Sequence, residues 1–294
     1  EGGSDSGVSV GDTASDWCSP LSIDDDNAEP GVYVLAVVVV LVVTAGAIQV
    51  PIKYNQVTVD GDAHDAARTM DAYADRHALS YPANRVLSWW GSYRMYNYFV
   101  TEYAVPNLRY SYGRSDYGPA LSATDPAAVY RRHRGQVGFL VTTAERRPSV
   151  AVVDGSAGVS LYARLHDHFG SRAGGVPAVE HFRAISTSAD GSVKAFHLVA
   201  GATVTGTATP NATVALSTTV SLDGTSTEYR QTTTATANGT YAATVPYPGR
   251  YAITGAESAT ASVPETAVLA GATVDAGTAN ASAAATRQPA QSTS

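Results

Sequence analysis

Hydrophobic and polar positions along the chain fall into three regimes. Gly31 to Val50 reads GVYVLAVVVVLVVTAGAIQV, twenty residues without a charge, ended by Pro51. A hydrocarbon core of about 30 Å needs about 20 apolar residues in helix, so this run is expected to be a transmembrane helix. A signal peptide would carry a short basic leader, whereas an acidic tail or loop over residues 1–30 precedes the run. The chain opens at Glu1 rather than Met, which suits the tail of a longer protein.

From about residue 55 to 200 the pattern mixes two periods. Apolar positions Ala63, Ala66, Ala67, Met70, Tyr73, Ala74 and Leu79 follow helical spacing, with Asp62 as the expected N-cap. Arg85-Val-Leu-Ser-Trp-Trp-Gly reads as extended. Asp125-Pro opens a short helix, and Gly135–Thr143 and Ser149–Asp154 read as strands. A helix is expected over Val159–Phe169. A hairpin is expected where His181–Ser186 and Val193–Val199 flank Ala-Asp-Gly-Ser. Strand, helix, strand and helix in this order imply an α/β domain. Between Trp89 and Tyr117 tyrosines crowd together with arginines, the make-up of peptide- or sugar-recognition loops.

The last regime, 201–275, alternates apolar and polar residues with Thr and Val enriched. Turn signals at Pro210-Asn, Asp223-Gly, Asn238-Gly and Pro248-Gly recur every 10–15 residues, the signature of a β-sandwich. Asn238-Gly-Thr-Tyr and Pro248-Gly-Arg-Tyr resemble a carboxypeptidase-regulatory-like module, a non-catalytic spacer. Residues 276–294 are Ala, Ser, Thr and Pro, and a disordered tail is expected. The fold class expected overall is therefore membrane-anchored: one transmembrane helix, an α/β domain with aromatic-rich loops, then a β-sandwich.

Charge sharpens this division. Residues 1–30 hold eight acids and no Lys or Arg, while 53–200 hold 16 basic and 13 acidic residues. The chain's net charge of −7, with 17 Arg but only Lys53 and Lys194 as lysines, argues against nucleic acid and suits high salt. The single cysteine, Cys18, excludes a disulfide framework and a multi-cysteine metal site. Lys53 and Arg68 after the apolar run favour a cytoplasmic side by positive-inside counting. Three N-x-[ST] sequons, at Asn211, Asn238 and Asn280, favour the outside. Sequons and β-rich composition together place residues 52–294 extracytoplasmic, at the cell membrane.

Catalytic chemistry is hard to find. Asp60, Asp62, His64 and Asp65 look like a metal cluster, but a capped helix start explains the same residues. Gly155-Ser-Ala-Gly is neither a G-x-S-x-G elbow nor a P-loop. His166 and His168, two apart on a helix, point to different faces. A hydrolase using His166 or Asp154 rests on no telling spacing. Neither catalytic nor metal-ligating residues are assigned.

A hydrophobic run, a helix and then V-L-S-W-W at residues 86–90 resemble the C-terminal half of archaeal oligosaccharyltransferase catalytic subunits, the AglB family. Gly191-Ser-Val-Lys-Ala-Phe-His-Leu-Val-Ala-Gly-Ala-Thr-Val resembles the strand entering the β domain of haloarchaeal members. The family hallmark W-W-D-Y-G lines a pocket reading the sequon Ser/Thr hydroxyl. Here Trp89 and Trp90 match, and Gly91, Ser92 and Tyr93 replace the rest. The resemblance implies Trp89 and Trp90 as pocket walls. The aromatic stretch adds Tyr93, Arg94, Tyr96 and Tyr98 as candidate acceptor- or ligand-binding residues. The resemblance also implies that a divalent metal is held by acids upstream, outside this chain, so that no cofactor belongs to the chain itself. Implied partners are the membrane, upstream transmembrane helices of the same protein, and a polypeptide acceptor or lipid-linked glycan. The expected function is the external C-terminal part of an oligosaccharyltransferase-like membrane protein, contributing recognition rather than catalysis. The alternative is a non-enzymatic single-span cell-surface binding or structural protein.

Overall fold

The computed structural model describes residues 30–57, 59–102, 116–146, 159–257 and 260–276. The apolar run is helical, within α1 (Pro30–Val57). Among the described residues, however, no helix is long and apolar enough to cross a membrane. The continuous described side chains of α1, residues 31–44, are all exposed. With no spanning helix among the described residues, the transmembrane assignment of residues 31–50 is overturned, and with it the membrane-anchored fold class. The acidic segment 1–29, the strand expected at 149–154 and the tail after 276 lie outside the described residues.

Everything described from Val59 onward packs as one unit. Helix α2 (Gly61–Arg76) starts at Asp60, whose carboxylate accepts from the backbone N–H of Asp62 (2.8 Å) and Ala63 (3.2 Å). The cap is thus two residues earlier than expected. Asp60 has the extended backbone that turns its side chain back over the first turn, while Asp62 already lies inside the helix. Ala63, Ala66, Ala67, Met70, Tyr73 and Ala74 form the buried stripe foreseen from their spacing.

That stripe covers one face of a four-stranded sheet ordered β1-β2-β4-β3. The strands are β1 (Val86–Leu87), β2 (Phe139–Thr143), β3 (Phe182–Thr187) and β4 (Val193–Leu198). β1 runs parallel to β2 and the other pairs are antiparallel, with a bulge at Ile185 in the hairpin β3–β4. Alternation along the strands sorts the core into two layers. Phe139, Val141, Val193 and Ala195 join α2, with Tyr96 and Val100 of α3 (Trp90–Thr101). Leu87, Leu140, Phe182, Ala184 and Phe196 point the other way. There they meet Leu121 of α4 (Tyr117–Ser122), Val129 of α5 (Pro126–His133), and Leu161 and Leu165 around a single π-helical turn at Ala163–Asp167.

The same apolar cluster continues without a break into the last third. Two sheets follow, one ordered β10-β9-β6-β7 and the other β11-β5-β8. Their strands are β5 (Ala202–Thr207), β6 (Thr213–Leu222), β7 (Thr225–Thr234), β8 (Thr240–Val245), β9 (Gly249–Thr254), β10 (Thr260–Val263) and β11 (Thr273–Asp275), with α6 (Glu265–Ala270) before the last. The β6–β7 hairpin turns on Asp223-Gly224, both with positive φ (45° and 83°), as a two-residue type I′ connection requires.

Tyrosines lock the two layers together. The buried Tyr247 hydroxyl donates to the Phe169 carbonyl (2.8 Å) and accepts from the Ala184 N–H (3.1 Å), while Tyr229 donates to the Val179 carbonyl (3.1 Å). Removing the Tyr247 hydroxyl strands a buried N–H and a half-buried carbonyl at once, a buried group left unpaired being worth about 1 to 3 kcal/mol. Tyr247→Phe is therefore expected to cost about 2 kcal/mol or more in urea unfolding. An unchanged midpoint would show that water replaces the hydroxyl.

Candidate functional site: a cavity beside Trp89

The segment after Tyr81 is pinned from both sides. The buried Asn97 carboxamide of α3 accepts from the Val86 N–H (2.9 Å) and donates to the Val86 carbonyl (2.9 Å) and the Tyr93 carbonyl (3.0 Å). Asn84 donates to the Val100 carbonyl (2.8 Å), and Arg85 Nε donates to the Tyr93 hydroxyl (3.0 Å). On the sheet side, the Gly138 and Phe139 N–H groups both donate to the Arg85 carbonyl (2.9 and 3.1 Å). These bonds fix where the chain leaves β1 and enters α3.

Ser88 and Trp89 sit at that junction. Trp89 is the N-cap of α3 with extended backbone (φ −57°, ψ 141°), and its indole stands edge-on to Tyr117 at 6.4 Å. Beside it lies a cavity of about 140 Å³ lined by Ser88, Trp89, Ser92, Tyr96 and Tyr117, by Val141 and Thr143 of β2, and by Asp60, Glu145 and Ser192. Two features mark it as more than a packing flaw. The Ser88 and Tyr96 hydroxyls are both buried and have no hydrogen-bond partner among the described residues, a costly state that a polar guest relieves. Burial, with the Asp60 charge adding to it, pushes the Tyr96 phenol far above its ordinary pKa, so it stays a donor. The cavity thus offers two neutral hydroxyls against an aromatic wall, with carboxylates at Asp60 and Glu145. That suits a small hydroxyl- or amide-bearing side chain.

Of the six aromatic and basic residues expected to bind, the structure brings Trp89 and Tyr96 together. Trp90 opens α3, and its side chain lies outside the described residues. Tyr93 is buried and braces Arg85, whose guanidinium lies 5.8 Å from its ring centre. Arg94 and Tyr98 are exposed, Tyr98 lying edge-on to Phe99 at 5.2 Å. The stretch read as recognition loops is helical from Trp90 to Thr101, and residues 103–115 lie outside the description. Ser88, Asp60 and Glu145 were not foreseen as lining residues. Only Ser88 had a signal, its place inside V-L-S-W-W.

The other candidates separate cleanly. His166 is buried, its Nδ1 2.9 Å from the Thr142 hydroxyl and its ring stacked on Tyr162, whereas His168 is exposed, so the two do face apart. Asp154 lies outside the described residues. Asn211 and Asn238 are exposed in turns, and Asn280 is outside the description. Among the described residues no group of three His, Cys, Asp or Glu is placed to hold a metal ion. Asp60 is committed to its helix cap. The described residues therefore do not fit a divalent metal, and no chemistry is routed through one.

Residues 201–274 match the family model described as the Archaeal glycosylation protein B long peripheral domain. The last third is thus similar to that peripheral domain. Solved structures extend the likeness beyond these residues. The Archaeoglobus fulgidus oligosaccharyltransferase in complex with Zn and sulfate superposes with a TM-score of 0.53 at 15% identity, over 74% of this chain and 46% of that one. The enzyme AglB from the same organism, with an inhibitory peptide and a dolichol-phosphate, gives 0.55 at 15%, over 74% and 42%. The form tethered to an acceptor peptide containing the NVT sequon gives 0.55 at 15%, over 74% and 43%. The chain spans less than half of the length of these enzymes. No curated protein sequence matches the chain. The resemblance carried by V-L-S-W-W and residues 191–204 is borne out: the fold is that of the C-terminal region of an archaeal oligosaccharyltransferase.

Proposed function

We propose that this chain is the C-terminal, external part of an AglB-type oligosaccharyltransferase and that the Trp89 cavity receives part of the acceptor polypeptide. The observation that carries the reading is the pair of unpartnered buried hydroxyls, Ser88 and Tyr96, facing a cavity walled by Trp89. Support comes from the similar structures, in which an acceptor peptide with a sequon, an inhibitory peptide and a dolichol-phosphate are those proteins' ligands. Peptide and lipid-linked glycan are accordingly the proposed substrates of the full protein, at the cell membrane. In this reading Glu145 takes up the acidic role left open where Gly91 follows Trp90.

Two substitutions in the full-length protein test it. Trp89→Ala removes the wall and is expected to lower glycosylation of a reporter sequon about tenfold, which corresponds to about 1.4 kcal/mol. Ser88→Ala removes a hydroxyl with no partner among the described residues, so it is expected to raise KM for the acceptor several-fold while leaving the melting temperature unchanged. Glycosylation at native rates and KM in both variants would sink the acceptor role.

A further inference from the structure

We propose that the peripheral domain is itself a glycan acceptor, modified on the carboxamides of Asn211 and Asn238. The two asparagines sit on neighbouring turns at one end of the domain. The Ala208 N–H donates to the Gly239 carbonyl (2.8 Å), the Ala235 N–H to the Ala212 carbonyl (2.9 Å), and the Asn211 N–H to the Thr236 carbonyl (3.4 Å). In both sequons the asparagine stands in a turn and its threonine is the first residue of the strand that follows, β6 or β8. Asn211 and Thr213 are both exposed, and so are Asn238 and Thr240.

Asparagine in the left-handed region, where Asn211 stands at φ 60°, usually bonds its own backbone. Among the described residues neither the Asn211 nor the Asn238 carboxamide has a hydrogen-bond partner, so both Nδ2 atoms are presented to solvent. The middle residue Gly239 has φ 76°, and a Cβ there would lie 2.8 Å from the Ala208 carbonyl oxygen. Glycine at this position lets the second turn close tightly and leaves Asn238 at its tip. The two sites differ in one respect. The Thr240 hydroxyl is engaged with the Thr236 hydroxyl at 2.9 Å, so Asn211 is the more fully modified of the two.

The co-substrate is an oligosaccharide linked through its anomeric carbon to a lipid phosphate. The bond from that carbon to the phosphate oxygen breaks, and a bond from it to Nδ2 forms. The amide gives up one proton to a base, and the lipid phosphate leaves with the bonding pair. The proposal rests on the external placement of the domain in the preceding reading, and its test separates the two.

The full-length protein, purified from its native host, is digested with trypsin, and Arg230 separates the sequons into different peptides. Each peptide is expected to carry glycan mass, with occupancy higher at Asn211. Thr213→Ala and Thr240→Ala should each abolish modification of their own asparagine, while Thr213→Ser should keep it. A second variant, Thr225→Cys in a Cys18→Ser background, reports placement through labelling of intact cells with an impermeant maleimide. Unmodified asparagines in a domain that labels would overturn the proposal and leave external placement standing. Unmodified asparagines without labelling would overturn both. Modification at one asparagine alone would overturn the assignment of the other.

Discussion

Gly138→Ala is expected to destabilise the protein by about 3 kcal/mol or more, the upper range for overpacking, and to disorder the Trp89 cavity. Gly138 lies one residue before β2, against the backbone of Ala83 and Asn84. A Cβ there would sit 1.8 Å from the Ala83 carbonyl oxygen and 2.8 Å from its carbon. These are backbone atoms, so no rotamer change relieves the clash, and β1 must part from β2. The bonds from Gly138 and Phe139 to the Arg85 carbonyl would go with it, and so would the anchor that holds Ser88 and Trp89 against Val141 and Thr143. Gly118 serves as the control. It lies in α4, and an added methyl there would meet nothing within 4 Å. Gly118→Ala should therefore stay within about 1 kcal/mol of the native protein, on the stabilising side. Urea unfolding of both variants decides the matter. A native midpoint for Gly138→Ala would mean that β1 and β2 can slide apart freely, and the account of the site's rigidity would fail.

The same contact shows what local pattern can reveal and what it cannot. Helix α2 and the β3–β4 hairpin were legible because their apolar spacing and turn residues act within one stretch of chain. So was the strand-and-turn rhythm of the last third. Helix α3 was missed although Tyr93, Tyr96, Asn97 and Val100 recur at helical spacing and are all buried. The density of tyrosine suggested a binding surface, and a buried asparagine does not look like core until its partner, the Val86 backbone, is known. The apolar run of α1 was legible as a helix, but its length alone did not establish a membrane span.

The site divides in the same way. Trp89 and Tyr96 were named from a motif and an aromatic cluster, both of them local. Asp60, Glu145 and Ser192 reach the cavity from three other segments, and only the β1–β2–β4 pairing brings those together. Tyr98 and Arg94 were attractive for their chemistry, but a helix turns about 100° per residue. Residues of one aromatic run are therefore distributed around α3, and only Tyr96 of this set faces the cavity.

Acid is expected to weaken the protein through His197 more than through any surface charge. His197 lies on β4, with Phe139 and Arg183 as its cross-strand partners, and is 5% exposed. Its ring is 4.9 Å from that of Tyr73 and 5.3 Å from that of Phe139, and its Nδ1 has no hydrogen-bond partner among the described residues. Burial, with the Arg183 and His77 charges adding to it, pushes its pKa down to about 3. Arg183 is held in place by Glu265 at 2.6 Å. The folded protein therefore keeps His197 neutral, while the unfolded chain protonates it near the ordinary value of about 6.5. Below that pH the unfolded state binds the extra proton, so stability falls as pH drops from about 6.5 toward 3. By pH 4.5 the contribution lost is about 3 kcal/mol, at 1.36 kcal/mol per unit. His133 and His181 are also lowered by burial and act in the same direction, so the decisive quantity is a difference between variants. His197→Leu removes the titration and keeps an apolar group against Tyr73 and Phe139. Between pH 7 and pH 4.5 the unfolding free energy should fall by about 3 kcal/mol more in the native protein than in His197→Leu. Parallel pH curves for the two would mean that His197 is protonated in the folded state, which its place among Tyr73, Phe139 and Arg183 does not permit.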